Sequence, residues 1–118
     1  MNFLISNVKK HQNTRGWLCG HFMPENSILK TNQMEVKYDQ LEPGDTVDEH
    51  FHPQGEELFI IVKGKIKTKI DGKNQILERG DFVFIKSRTN EAVLEVLGPT
   101  TIVAVRTPSI PNNKIYVK

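Results

Sequence analysis

Apolar residues along this chain recur with the two-residue period of strands and never with a sustained helical one. Met34-Glu35-Val36-Lys37-Tyr38 alternates apolar and charged positions, which predicts a half-buried strand with Met34, Val36 and Tyr38 on its inner face. Lys65-Ile66-Lys67-Thr68-Lys69-Ile70 alternates again, lysines outward, and Asp71-Gly72 is a pair favoured in tight hairpins before Lys73 to Leu77 runs back. Leu58 to Val62 and Phe82 to Ile85 are apolar at every position, the pattern of strands covered on both faces. Trp17 to Met23, Ala92 to Leu97 and Thr101 to Val105 read as further strands, and Phe3-Leu4-Ile5 as a short edge strand. The run Lys9 to Gly16, the turn-bearing Pro24 to Leu29 and the proline-punctuated Thr107 to Lys114 are loops. Eight or more short strands broken by Gly, Asp and Pro predict an all-β barrel or sandwich, most naturally a jelly roll.

Composition narrows this picture. The 118 residues suit one domain spanning 1–118, with no internal repeat. Sixteen basic and 14 acidic residues, spread evenly for a net charge of +2, give no reason to expect a nucleic-acid partner. No apolar run is long enough for a membrane span. The apolar start is too short for a signal peptide, and the lone Cys19 suits a reducing compartment, so a cytoplasmic location is expected. Cys19 itself reads as a small buried apolar residue.

The candidate chemistry lies in Gly44 to Gly64. His50 and His52 stand two residues apart and so share one face of a strand, and Glu57 follows on the next extended run, sharing its face with Phe59 and Ile61. Two imidazoles and a carboxylate that converge form a ligand set for a divalent metal with open positions. Glu56 falls on the opposite face. Elsewhere His11 reads as a solvated loop residue, His21 as a packed or edge-strand histidine, and Arg106 and Lys86 as solvated cations.

Gly44, His50, His52, Glu57 and Gly64 together resemble the first motif of the cupin family: Gly, five residues, His, one, His, four, Glu, six, Gly. The family's second motif is Gly, five residues, Pro, one, Gly, two, His. Residues 80–91 resemble it at Gly80 but carry Lys86, Arg88 and Glu91 where the family has proline, glycine and histidine. The resemblance implies a cupin-type double-stranded β-helix and a metal held by His50, His52 and Glu57, with iron, manganese, zinc or nickel as candidates.

Glu91 leaves three readings open: a fourth ligand, a residue turned away from a facial triad, or the mark of a site kept only for binding. Alternation sets Ala92, Leu94 and Val96 on the apolar face and so points Glu91 outward, unless a bulge intervenes. Tyr38, Phe59, Ile61, Phe82 and Phe84 are the expected pocket walls. The resemblance implies a metal-dependent oxygenase or isomerase acting on a small polar molecule, or a non-catalytic ligand-binding cupin. A metal-free sugar epimerase fits less well, because the histidines sit in the metal pattern. A homodimer is expected, with the outer face of Leu58, Ile60 and Val62 between subunits.

Overall fold

A computed structural model describes residues 2–118. Ten strands follow one short 3-10 turn, Val8–Thr14. They are β1 (Trp17–Cys19), β2 (Glu35–Leu41), β3 (Val47–Phe51), β4 (Glu56–Lys63), β5 (Lys65–Ile70), β6 (Lys73–Glu78), β7 (Phe82–Ile85), β8 (Glu91–Val96), β9 (Thr100–Thr107) and β10 (Ile115–Tyr116). Two five-stranded antiparallel sheets, ordered β1-β2-β9-β4-β7 and β10-β3-β8-β5-β6, form the jelly roll of a cupin-type double-stranded β-helix. Among the described residues, no helix is long and apolar enough to cross a membrane.

Turn chemistry fixes the connections. Asp71 and Gly72 both have positive φ, 51° and 79°, the conformation that closes the two-residue β5–β6 hairpin with the correct twist. Gly64 joins β4 to β5 at φ +95°, and a Cβ there would lie 2.5 Å from the Pro99 carbonyl oxygen, so only glycine fits. The core fills one end of the space between the sheets: Phe59, Ile61, Ile66, Leu77, Ile85, Val96 and Ile102 pack together, with Ile61 and Ile66 wholly inaccessible. Each such side chain contributes about 1.5–3 kcal/mol through burial. The other end is left open and holds the cavity.

Several strands differ from the alternation reading. Phe3-Leu4-Ile5 forms no strand and is exposed. The strand at Trp17 stops at Cys19, which is half-buried rather than enclosed. Part of the polar run Lys9 to Gly16 is the 3-10 turn, capped by the Asn7 side chain, which accepts the Lys9 N–H. On β2 the expected faces are reversed. Glu35, Lys37, Asp39 and Leu41 line the cavity, and Tyr38 lies outside it. Charge drives the reversal, because Glu35 and Arg106 are directly paired in the β2–β9 ladder and bond to each other.

Strands β4 and β7 are covered on one face only. Glu57, Phe59 and Ile61 point inward, whereas Leu58 and Val62 are exposed. Phe82 and Phe84 are 64% and 51% exposed and do not reach the cavity, because β7 is an edge strand whose inner face is Val83 and Ile85. Of the five expected pocket residues, Phe59 lines the cavity, Ile61 belongs to the core beneath it, and Tyr38, Phe82 and Phe84 lie outside.

Candidate metal centre

The open end of the barrel encloses a cavity of about 390 Å³. His50, on β3, and His52, just beyond its end, both face into it, as do Glu57 from β4 and Glu91 from β8. Two bulges set this convergence. Between the pairs Val47↔Val93 and His50↔Glu91, β3 advances three residues while β8 advances two. Between Lys67↔Glu95 and Thr68↔Val93, β8 carries one extra residue, Leu94. The extra residue inverts parity along β8, so Val96, Val93 and Glu91 all face inward while Leu94 is turned toward solvent. Plain alternation points Glu91 outward; the bulge turns it in.

His50, His52 and Glu91 bring one ligand atom each within 4.8 Å of one another. His50 Nε2 lies 3.8 Å from Glu91 Oε1, and His52 Nε2 lies 4.0 Å from Glu91 Oε2 and 3.9 Å from Glu57 Oε1. All four residues are buried or nearly so. Four of their atoms are buried without any hydrogen-bond partner: His50 Nε2, His52 Nε2, Glu57 Oε1 and Glu91 Oε2. A buried polar atom left unpaired costs about 1–3 kcal/mol. His50, His52 and Glu91 form a cradle whose chemistry suits a divalent cation. Glu57, expected as a ligand, lies beside that group and outside it, with Oε1 near His52 and Oε2 bound by Arg106.

The opposite edge of each imidazole is tied down. His50 Nδ1–H donates to the Asp48 carbonyl at 2.7 Å, and His52 Nδ1–H donates to the Asn113 carbonyl at 2.6 Å. With Nδ1 protonated, Nε2 presents its lone pair to the cradle, the usual outer arrangement of ligating histidines. Burial lowers the pKa of both rings, assisted by Lys114 and Arg106, and keeps them neutral as ligands must be.

The two carboxyls divide the remaining charge. Burial and the neighbouring Glu57 push Glu91 up to about 9. Burial also acts to raise Glu57, but the Glu91 carboxyl, the Arg106 guanidinium and His52 outweigh it and hold Glu57 below its ordinary value. Without a cation the pair therefore keeps one proton, on Glu91. A divalent ion held here would take the place of that proton, with both carboxylates ionised beside it.

Residues that the alternation reading passed over complete the surroundings. Arg106, read as solvated, is largely buried: Nε donates to Glu57 Oε2 at 3.1 Å and Nη1 to Glu35 Oε2 at 2.9 Å. Its parity with Ile102 and Ala104 on β9, all three lining the cavity, was the available sign. The loop Thr107 to Lys114 is more than a connection. Asn113 holds His52 through its carbonyl and clasps the backbone of Gln54 with both side-chain atoms. Lys86 is exposed and pairs with Glu56 at 3.2 Å, outside the site.

Residues 38–103 match the family described as the cupin domain. The tetracenomycin polyketide synthase protein TcmJ of Streptomyces glaucescens is 30% identical over 46 residues, 39% of this chain, and the match spans only 31% of that relative's length. A conserved protein with a double-stranded β-helix domain from Klebsiella pneumoniae superposes with a TM-score of 0.69 at 20% identity, covering 97% of this chain and 96% of the other. A cupin protein from Bacteroides fragilis gives 0.59 at 25% identity over 72% of this chain and 73% of the other.

Proposed function

The chain belongs to the cupin domain family, and on that premise we propose that it is a metal-dependent enzyme, an isomerase or oxygenase of a small polar molecule, with His50, His52, Glu57 and Glu91 holding one divalent ion. The four unpartnered, inward-facing ligand atoms carry this reading. Two imidazoles with two carboxylates favour manganese or iron over nickel and zinc. When bound, such an ion supplies a Lewis-acid centre with open positions for a substrate oxygen or for dioxygen.

The chain's own residues prepare the rest. The Asp48 and Asn113 carbonyls keep both histidines aimed, and Arg106 holds Glu57 ionised beside them. Phe59, Ile102 and Ala104 wall the inner cavity and exclude water, while Lys37, Asn112 and Lys114 offer donors to a polar ligand. A volume of about 390 Å³ restricts that ligand to a small molecule. The same reading places the protein in the cytoplasm, in keeping with its free Cys19, and as a homodimer.

Elemental analysis of protein made without a polyhistidine tag tests the proposal. About one equivalent of metal is expected, and His50→Ala should bring it close to zero. Protein that arrives empty and takes up none of iron, manganese, nickel or zinc would leave a ligand-binding cupin without turnover.

A further inference from the structure

A second polar cluster meets the same cavity away from the four ligand residues. His21 follows β1 and lines the cavity with its side chain 29% exposed. Its ring packs edge-on against Phe22 at 5.0 Å, and Phe22 in turn leans on Trp17 at 4.7 Å. Gly20 makes room for this arrangement, since a Cβ there would lie 2.4 Å from the Phe22 ring. The Lys30 ammonium grips the His21 carbonyl at 2.6 Å.

The tautomer of His21 follows from its partners. Ser109 is wholly buried, and its hydroxyl has one proton and two lone pairs. The proton goes to Glu35 Oε1 at 2.9 Å, because the Glu35 carboxylate, held by Arg106, can only accept. One lone pair takes the His21 backbone N–H at 2.8 Å. The other faces His21 Nδ1, also at 2.8 Å, so Nδ1 must carry the hydrogen. In the neutral ring Nε2 is then the bare nitrogen, and it has no partner among the described residues and is not buried.

We infer that His21 is the proton acceptor of this cavity, and that Ser109 and Glu35 are positioning residues that fix its ring with Nε2 unprotonated. The substrate class is a small carbonyl compound with a hydrogen on the adjacent carbon. His21 Nε2 takes that hydrogen as a proton, the C–H electron pair stays on the substrate as an enolate, and the imidazolium returns a proton to a neighbouring atom. Nothing is oxidised or reduced. This rests on the metal-enzyme reading and narrows it to the isomerase branch.

Two measurements on zinc-loaded protein test the assignment. Nitrogen-15 correlation spectra should show His21 with its hydrogen on Nδ1, and Ser109→Ala should move it toward Nε2; a wild-type ring with its hydrogen on Nε2 overturns the inference. With dihydroxyacetone in heavy water, proton NMR should show carbon-bound hydrogen exchanging faster than in buffer. His21→Gln should slow the protein-catalysed exchange about a hundredfold or more while keeping its zinc and fold, and Ser109→Ala should slow it less. Exchange no faster than in buffer, or undiminished in His21→Gln, sinks the role of His21. Metal content, measured separately, reports on the metal reading itself: a wild type that holds none of zinc, manganese, iron or nickel would overturn that reading and this one together.

Discussion

At the residue scale, the candidate site is a problem of charge storage. Glu57 and Glu91 cannot both ionise in a buried cradle unless a cation joins them, so the metal-free protein keeps a proton on Glu91, pushed up to about 9. Metal binding at pH 7.5 should therefore release about one proton, read by titration calorimetry in two buffers of different ionisation enthalpy; equal apparent enthalpies in both would contradict it. The stability profile follows with a definite sign. A carboxyl whose folded pKa is raised stabilises fully below its unfolded value of 4.5, and that contribution is lost as pH rises toward about 9. The lowered histidines act the other way, costing stability as pH falls below 6.5. Between pH 7 and 8 the Glu91 loss dominates, and the raised Cys19 thiol adds a loss of the same sign only as pH approaches 9. The melting temperature of metal-free protein should therefore fall across pH 7 to 8 while that of metal-loaded protein holds. That His50 and His52 face the same way, and that Glu57 faces as Phe59 and Ile61 do, was legible from spacing, because alternation fixes which residues of one strand share a face. Glu35, Ser109 and His21 were not, and Arg106 only through its parity on β9, since their partners lie 49 to 88 residues away in the chain.

At the element scale, β8 shows where period-two reading breaks. Ala92, Leu94 and Val96 look like one apolar face, and that pattern sends Glu91 outward; one extra residue at Leu94 turns it inward instead. A bulge changes parity without changing composition, so no local signal in the chain betrays it. Deleting Leu94 removes the extra residue and should restore simple alternation from Val96 to Glu91 with Glu91 still facing inward. Metal binding, measured by competition with a chelator, should therefore stay near the wild-type level and well above that of Glu91→Ala. If the deletion weakens binding as much as Glu91→Ala does, the extra residue at Leu94 is not what sets the parity of Glu91. The β7–β8 turn carries a related departure. Arg88 stands where the resembled motif has glycine, and it adopts φ +64°, a left-handed conformation that costs a residue with a Cβ about 1–2 kcal/mol. Its N–H nevertheless holds the His52 carbonyl at 2.9 Å, so the strained turn helps tether a candidate ligand. Arg88→Gly should retain that bond and raise stability by about 1 kcal/mol, read from denaturant midpoints at unchanged slope.

At the scale of the whole molecule, the two ends of the barrel and its two faces do different work. Ile61 and Ile66 close the packed end, and truncating either to alanine should cost about 2–5 kcal/mol. The outer face of the β1-β2-β9-β4-β7 sheet has the opposite character. Leu58 stands directly across from Phe84, and Ile60 across from Phe82, so four apolar side chains occupy one outer patch, with Val62 exposed further along β4. Read from sequence, Phe82 and Phe84 were cavity walls, because an all-apolar strand looks the same whether its second face meets its own core or another chain. Their exposure of 64% and 51% at the sheet edge restores the distinction: a single chain does not cover them. An apolar patch of this kind on a rigid sheet is what a subunit contact requires, and the proposed homodimer would bury it. Phe82→Glu or Phe84→Glu should shift the protein from dimer to monomer in sedimentation equilibrium while leaving metal content unchanged, because neither side chain touches the cavity. A wild-type chain that sediments as a monomer at high concentration would instead leave the patch uncovered and remove the dimer from the proposal.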